Sequence, residues 1–273
     1  MMKILHTLIF SFTWILGIAT AYAQTEIDIQ GVTAPVTVQA GETVQLNLTG
    51  DVTVNTNTPF TVMEGGELRI VNATSDPVTI TNTYKNSNGR DGMFLVYSTG
   101  RLIMTGGSGK EIILDGGSAL IGSPGSYTPG NANRHFNSSL IRTTGTLQLD
   151  YVTIRNFYSE INDSGTIGVV APSIYDYGAD KTCGTTTLRN CLIERCRARM
   201  GTFMFIGNGG SYLSSSMEAE DCRIDITDCT IQDCESYCDE NGWGGAIRCR
   251  GGRINNLYLT NTTFTRNYSR GDG

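Results

Sequence analysis

Four nine-residue windows align without gaps and set most of what this chain can fold into. They are LDYVTIRNF from Leu149, LRNCLIERC from Leu188, ITDCTIQDC from Ile226 and LTNTTFTRN from Leu259. Each opens on an aliphatic residue, with Tyr, Asn or Asp two positions on and a small or β-branched residue three positions on. Ile or Phe stands five positions on, and Phe, Cys or Asn eight positions on. Such self-similarity at intervals of a few tens of residues marks a repeat architecture. A second alignment lies upstream: LVYSTGRLIM from Leu95 matches LIRTTGTLQL from Leu140, with Gly sixth and Leu eighth in both. FTVMEGGELRI from Phe60, VTVQAGETVQL from Val36 and AIRCRGGRINNLYL from Ala246 fit with altered turns. The unit is therefore strand, glycine turn, strand, Asn/Asp turn, strand.

Alternate residues such as Leu147 and Leu149, then Val152 and Ile154, fall on one face of a strand. Between them stands a turn residue: Tyr151, Asn190, Asp228 and Asn261 in successive units. Asn and Asp accept left-handed backbone angles more readily than other side chains. One unit cannot bury its apolar face, but stacked units bury it continuously and pair each strand with its equivalents. Units running in the same order pair in parallel. A strict six-residue period, hairpins with two-residue turns and propeller signatures are all missing. The expected fold is all-β: a right-handed parallel β-helix, a single-stranded solenoid of three-strand coils.

Composition agrees, with 33 glycines and no run of strong helix formers. Lys3, an apolar run from Ile4 to Ala19 and Ala21-Tyr22-Ala23 read as a cleavable secretory signal over residues 1–23. Residues 24–273 then form the β-helix. The expected location is secreted or at the cell surface, with no integral membrane segment in the mature chain. A net charge of −6 argues against nucleic acid as a partner. The chain stops at Gly273 in mid-repeat without a polar cap, so the β-helix is expected to be truncated at its C-terminus.

Gly244 to Ile247 (Gly-Gly-Ala-Ile), followed by an aliphatic strand and then C-x-I-x-x-C or T-x-F-x-x-N, resembles the right-handed β-helix repeats of the pectate-lyase-like superfamily. It is closest to repeats of bacterial polymorphic outer-membrane proteins and adhesins. The likeness is good over 140–273 and weak over 24–121. It implies a fold far more than a function, since that fold hosts lyases, hydrolases, adhesins and tailspikes.

All eight cysteines lie between Cys183 and Cys249. Cys191 and Cys229 share one repeat position, as do Cys196 and Cys234, so stacking brings each pair within disulfide reach. Parallel side chains suit the S–S torsion poorly, which favours packed thiols and leaves bridges as the alternative. A zinc site with Cys238 lacks paired C-x2-C spacing, and no metal site is expected. Arg195, Arg197 and Arg199 alternate, as do Arg248 and Arg250, and Arg142 aligns with Arg248. On strands each set would face one way and could hold uronate or sulfate groups, unless acidic neighbours neutralise them.

Related lyases use Ca2+ held by Asp, with a basic residue as proton acceptor, and related hydrolases use clustered Asp beside Gly-His-Gly. That tripeptide is missing, and His135 is the single histidine after residue 23. The Asp115-Gly116-Gly117 turn resembles a structural turn of the superfamily. Asp228 falls on the turn column, while Asp221, Asp225 and Asp233 read as outward strand positions. Arg270-Gly271-Asp272 spells an integrin-type tripeptide but lies where a turn belongs. Six N-x-[ST] sequons, at Asn47, Asn72, Asn137, Asn162, Asn261 and Asn267, fit a Thr- and Asn-rich solenoid.

No catalytic residue is assigned. The expectation is adhesion or glycan binding without catalysis and without a cofactor, with a polysaccharide, a cell-surface glycan or a surface protein as partner. The alternative is a lyase or hydrolase of acidic polysaccharide, in which Ca2+ could take part.

Overall fold

Among the described residues the period-two pattern becomes 26 strands and no helix. The computed structural model describes residues 24–85, 91–129, 136, 138–159, 166–171, 184–199, 201–208, 223–237, 245–250 and 256–270. Residues 1–23, read above as a secretory signal, lie outside them, as do His135, Asp221, Cys183, Cys222, Cys238 and the sequons at Asn137 and Asn162. No helix among the described residues is long and apolar enough to cross a membrane.

Successive units each add a strand to the same sheets. A 7-stranded sheet takes the first strand of each unit: Val36–Val38, Phe60–Val62, Phe94–Val96, Ile141–Thr143, Ile167–Ala171, Met204–Asn208 and Ile247–Arg250. A 14-stranded sheet takes the second and third strands as two arms. The arms meet in the long strand Thr43–Val54, whose first half pairs with Glu67–Asn72 and whose second half pairs with Val78–Asn82. Gln24–Val32 covers that strand in parallel. A 3-stranded sheet of Arg197–Ala198, Glu235–Ser236 and Tyr268–Ser269 continues the last three units. Among the described strands, one pair is antiparallel, Leu120–Ile121 with Thr128–Pro129.

The four aligned windows pair in the expected register. Leu149, Leu188, Ile226 and Leu259 form one row, and Ile154, Ile193, Ile231 and Phe264 another. In both rows the members before the last unit are fully buried. Rows of the two large sheets point into one core, where Phe60 and Phe94 stack with centroids 4.8 Å apart, while Leu120 of the two-stranded sheet packs in a second cluster with Tyr127 and Tyr158.

The upstream alignment is right at its second strand and displaced at its first. Arg142 pairs with Leu95, not with Tyr97. The turn after Thr143 is two residues shorter than the turn after Val96. A shift of two preserves which face is buried, so Phe94 and Ile141 still meet in the core.

The turn residues behave as their chemistry requires. Tyr151, Asn190, Asp228 and Asn261 all have φ between 46° and 54°. A second left-handed column, at position seven of the windows, holds Asn156, Arg195, Asp233 and Arg266 with φ of 51° to 55°. Asp233 is thus a turn residue and not an outward strand position. The glycines of the other corner answer to space. A Cβ on Gly66, Gly100, Gly145 or Gly184 would come within 2.8 Å of backbone in the preceding unit.

Candidate functional site

The expected arginine stripe does not form as one surface. Arg195 sits at the left-handed turn, which rotates it out of line with Arg197 and Arg199. Its guanidinium donates to the Leu120 carbonyl and lies over the Tyr127 ring. Arg197 is buried on its short strand, and Arg199 is half-buried in the bend that follows. Arg142 and Arg248 do share a row, separated by Gly168 and Phe205. Arg248 is buried there against the Gly201 backbone, and Arg142 is half-buried. The side chain of Arg250 falls outside the described residues.

The densest polar cluster centres on Glu235, which the sequence reading passed over. Its side chain is 0% exposed. Oε1 faces Arg197 Nε at 3.2 Å and Arg270 Nε at 3.5 Å. Oε2 accepts from the backbone amides of Gly125 at 3.0 Å and Tyr127 at 3.1 Å. The Arg197 guanidinium lies 4.1 Å from the Tyr237 ring centroid and 5.3 Å from that of Tyr158. Tyr127 donates its hydroxyl to the Asp233 carbonyl, and burial pushes its phenol up to about 12. With Arg197 and Arg270 at one oxygen and two backbone amides at the other, Glu235 ties separate elements of the fold together.

A signal for this cluster existed. One step beyond the four windows stand Tyr158, Arg197, Glu235 and Tyr268, which pair as one row. Opposite charges in adjacent units on a paired row predict an ion pair. The next position, Ser159, Ala198, Ser236 and Ser269, is small throughout.

The remaining carboxylates singled out by sequence that the structure describes are engaged locally. Asp115 accepts from Gly117 N, Arg155 Nε and Asn156 Nδ2, so its Gly-Gly turn is structural. A Cβ on Gly116 would come 2.7 Å from the Asn156 carbonyl. Asp225 pairs with Arg223, and Asp228 accepts from Asn261. Asp233 is held below the ordinary carboxylate range by the hydrogen bond and charge of Arg266. Arg270 of the Arg-Gly-Asp tripeptide is tied to Glu235 and the Gly125 carbonyl. Among the described residues, no group of three His, Cys, Asp or Glu side chains is placed to hold a metal ion.

Cys191, Cys196, Cys229 and Cys234 are buried free thiols. Each Sγ donates to the carbonyl two residues earlier, at 3.1–3.3 Å, across a left-handed turn. In the last unit Thr262 and Asn267 take over these places. The Thr262 hydroxyl bonds the Thr260 carbonyl, and the Asn267 amide bonds the Ile231 carbonyl while accepting from Cys234 N. The cysteines are therefore small core residues whose weak donor satisfies a turn carbonyl. The hydrogen bond with Cys229 and burial hold the Cys191 thiol well above its ordinary range while that bond lowers Cys229, and Cys234 is held up in the same way beside a lowered Cys196. Burial of all four keeps reagents away from them. Alkylation of the unfolded chain, read by mass spectrometry, is expected to label all four positions. In the native chain they should stay unlabelled on the same timescale. Peptides linked between 191 and 229 or between 196 and 234 would contradict this.

The sequons report architecture too. The Asn72 amide is buried and donates to the Asp76 and Lys110 carbonyls. Comparison with family models, curated proteins and solved structures gives no match.

Proposed function

We propose that the stacked parallel sheets wind as a right-handed β-helix of the pectate-lyase-like kind, and that the chain is an exported surface protein that binds glycan or a surface partner without catalysis or cofactor. Crossover connections between parallel strands are almost always right-handed, which supports the winding. The observation that carries the binding reading is a solvent-facing row on the first arm of the large sheet, in which Arg69 also pairs with Glu67 and Asp225 with Arg223. It runs from Gln45 through Arg69, Ile103, Gln148 and Thr187 to Asp225 and Tyr258, one residue per unit. Each is half-buried or exposed, and successive members are about 4.8 Å apart. Amide, hydroxyl and guanidinium groups along a straight line of this length suit an extended polymer. The lyase or hydrolase alternative draws less support, because the described carboxylates Asp115, Asp225, Asp228, Asp233 and Glu235 are each taken up by neighbours within the fold.

Calorimetric titration with acidic and neutral oligosaccharides tests the reading. Binding should weaken at least about tenfold in a Gln148→Ala, Tyr258→Ala double variant, the loss of roughly 1.4 kcal/mol that one or two polar contacts supply. Binding that ignores both substitutions would place the ligand elsewhere. New unsaturated or reducing ends after incubation, with or without Ca2+, would favour the enzyme.

A further inference from the structure

In a solenoid each unit touches only its neighbours, so the last unit can fray alone. The segment Leu120–Pro129 breaks that rule. It leaves the third unit after Ile112–Asp115, turns back as the short antiparallel pair, and lies along the side of the four units that follow. It packs Leu120 and Tyr127 with Tyr158 of the fourth unit and Tyr237 of the sixth. It takes the Arg195 guanidinium of the fifth unit on Leu120 and Tyr127. It gives two amides to Glu235 and a hydroxyl to Asp233 in the sixth. It meets the seventh at Gly125, where an added Cβ would lie 3.3 Å from the Tyr268 ring and where Arg270 donates to the carbonyl.

We infer that residues 120–129 form a lateral strap, with Glu235 as its catch, that joins the fourth to seventh units into one cooperative block. Gly125 and Arg270 are 145 residues apart in sequence, so this contact links units with three others' worth of chain between them. Among the described residues, Asn256–Thr260, Thr263–Thr265 and Tyr268–Ser269 pair with strands of the sixth unit, and the strap adds a link from the third unit to Tyr268 and Arg270.

Native-state hydrogen exchange on the full chain tests this. Residues 121–128 are replaced by a Gly-Ser linker of equal length, which leaves every strand of the stacked sheets intact. The expected result is at least about tenfold faster exchange at 256–269 and 235–236, the loss of a charge-assisted hydrogen bond, with 43–72 unchanged. Unchanged exchange at 256–269 would overturn the proposal, since nearest-neighbour stacking alone predicts that outcome. Should the replaced chain not fold, Gly125→Ala carries the same test. Its φ of 91° and the Tyr268 ring both oppose a Cβ, so faster exchange confined to the strap and 256–269 is expected, and none would overturn the proposal.

Discussion

Replacing Glu235 by alanine should destabilise the protein by about 3–5 kcal/mol, the range for removing one partner of a buried ion pair. The physical reason is what stays behind. Arg197, with a side chain only 10% exposed, keeps its charge between Tyr158 and Tyr237 with no anion beside it. The amides of Gly125 and Tyr127 lose their acceptor at the same moment. A second substitution, Arg197→Met, should restore part of the loss, because the uncompensated charge is then gone and the aromatic slot is refilled by an apolar chain. Urea denaturation of the four chains of this cycle gives both numbers. A loss under about 1 kcal/mol for Glu235→Ala would mean that water reaches the cluster and screens it as at a surface.

Gly145→Ala should be nearly as damaging, at about 3 kcal/mol or more, although it adds one methyl group. The new Cβ would stand 2.3 Å from the carbonyl oxygens of both Gly100 and Tyr97. Both are backbone atoms of the preceding unit, so no rotamer change relieves the contact and the two units must part. Overpacking of this kind usually costs about 1–3 kcal/mol where side chains can yield. Here they cannot, and the shift would also strain the Thr146 N to Gly100 O hydrogen bond of 2.8 Å. The same change at Gly50, where nothing lies within 4 Å, should be close to neutral and serves as the control. Equal midpoints for the two variants in thermal unfolding would show that the corner is looser than its geometry states.

The rows of the sheets were legible because a strand repeats every two residues and a unit repeats its own pattern. Leu149, Leu188, Ile226 and Leu259 could be aligned by eye, and they pair. The left-handed turns at Asn190 and Asp228 were legible for the same reason, since few residue types accept that conformation. The second turn column was hidden. Asn156 and Asp233 signal it, but Arg195 and Arg266 occupy it against their own preference, and the arginines then looked like a strand stripe. The exchange of Arg142 against Leu95 was hidden by a turn two residues shorter, which alignment without gaps cannot register.

Sequence by itself therefore determined the unit, its register and the faces that are buried, because these follow from side-chain alternation and from backbone preferences of single residues. Tertiary structure alone decided what else meets the Arg197–Glu235 pair. Glu235, Gly125 and Arg270 carry no shared local pattern, and only the path of residues 120–129 across four units brings them to one point. A contact between residues 110 or 145 positions apart is set by the folding back of a loop, and no period in the chain encodes it.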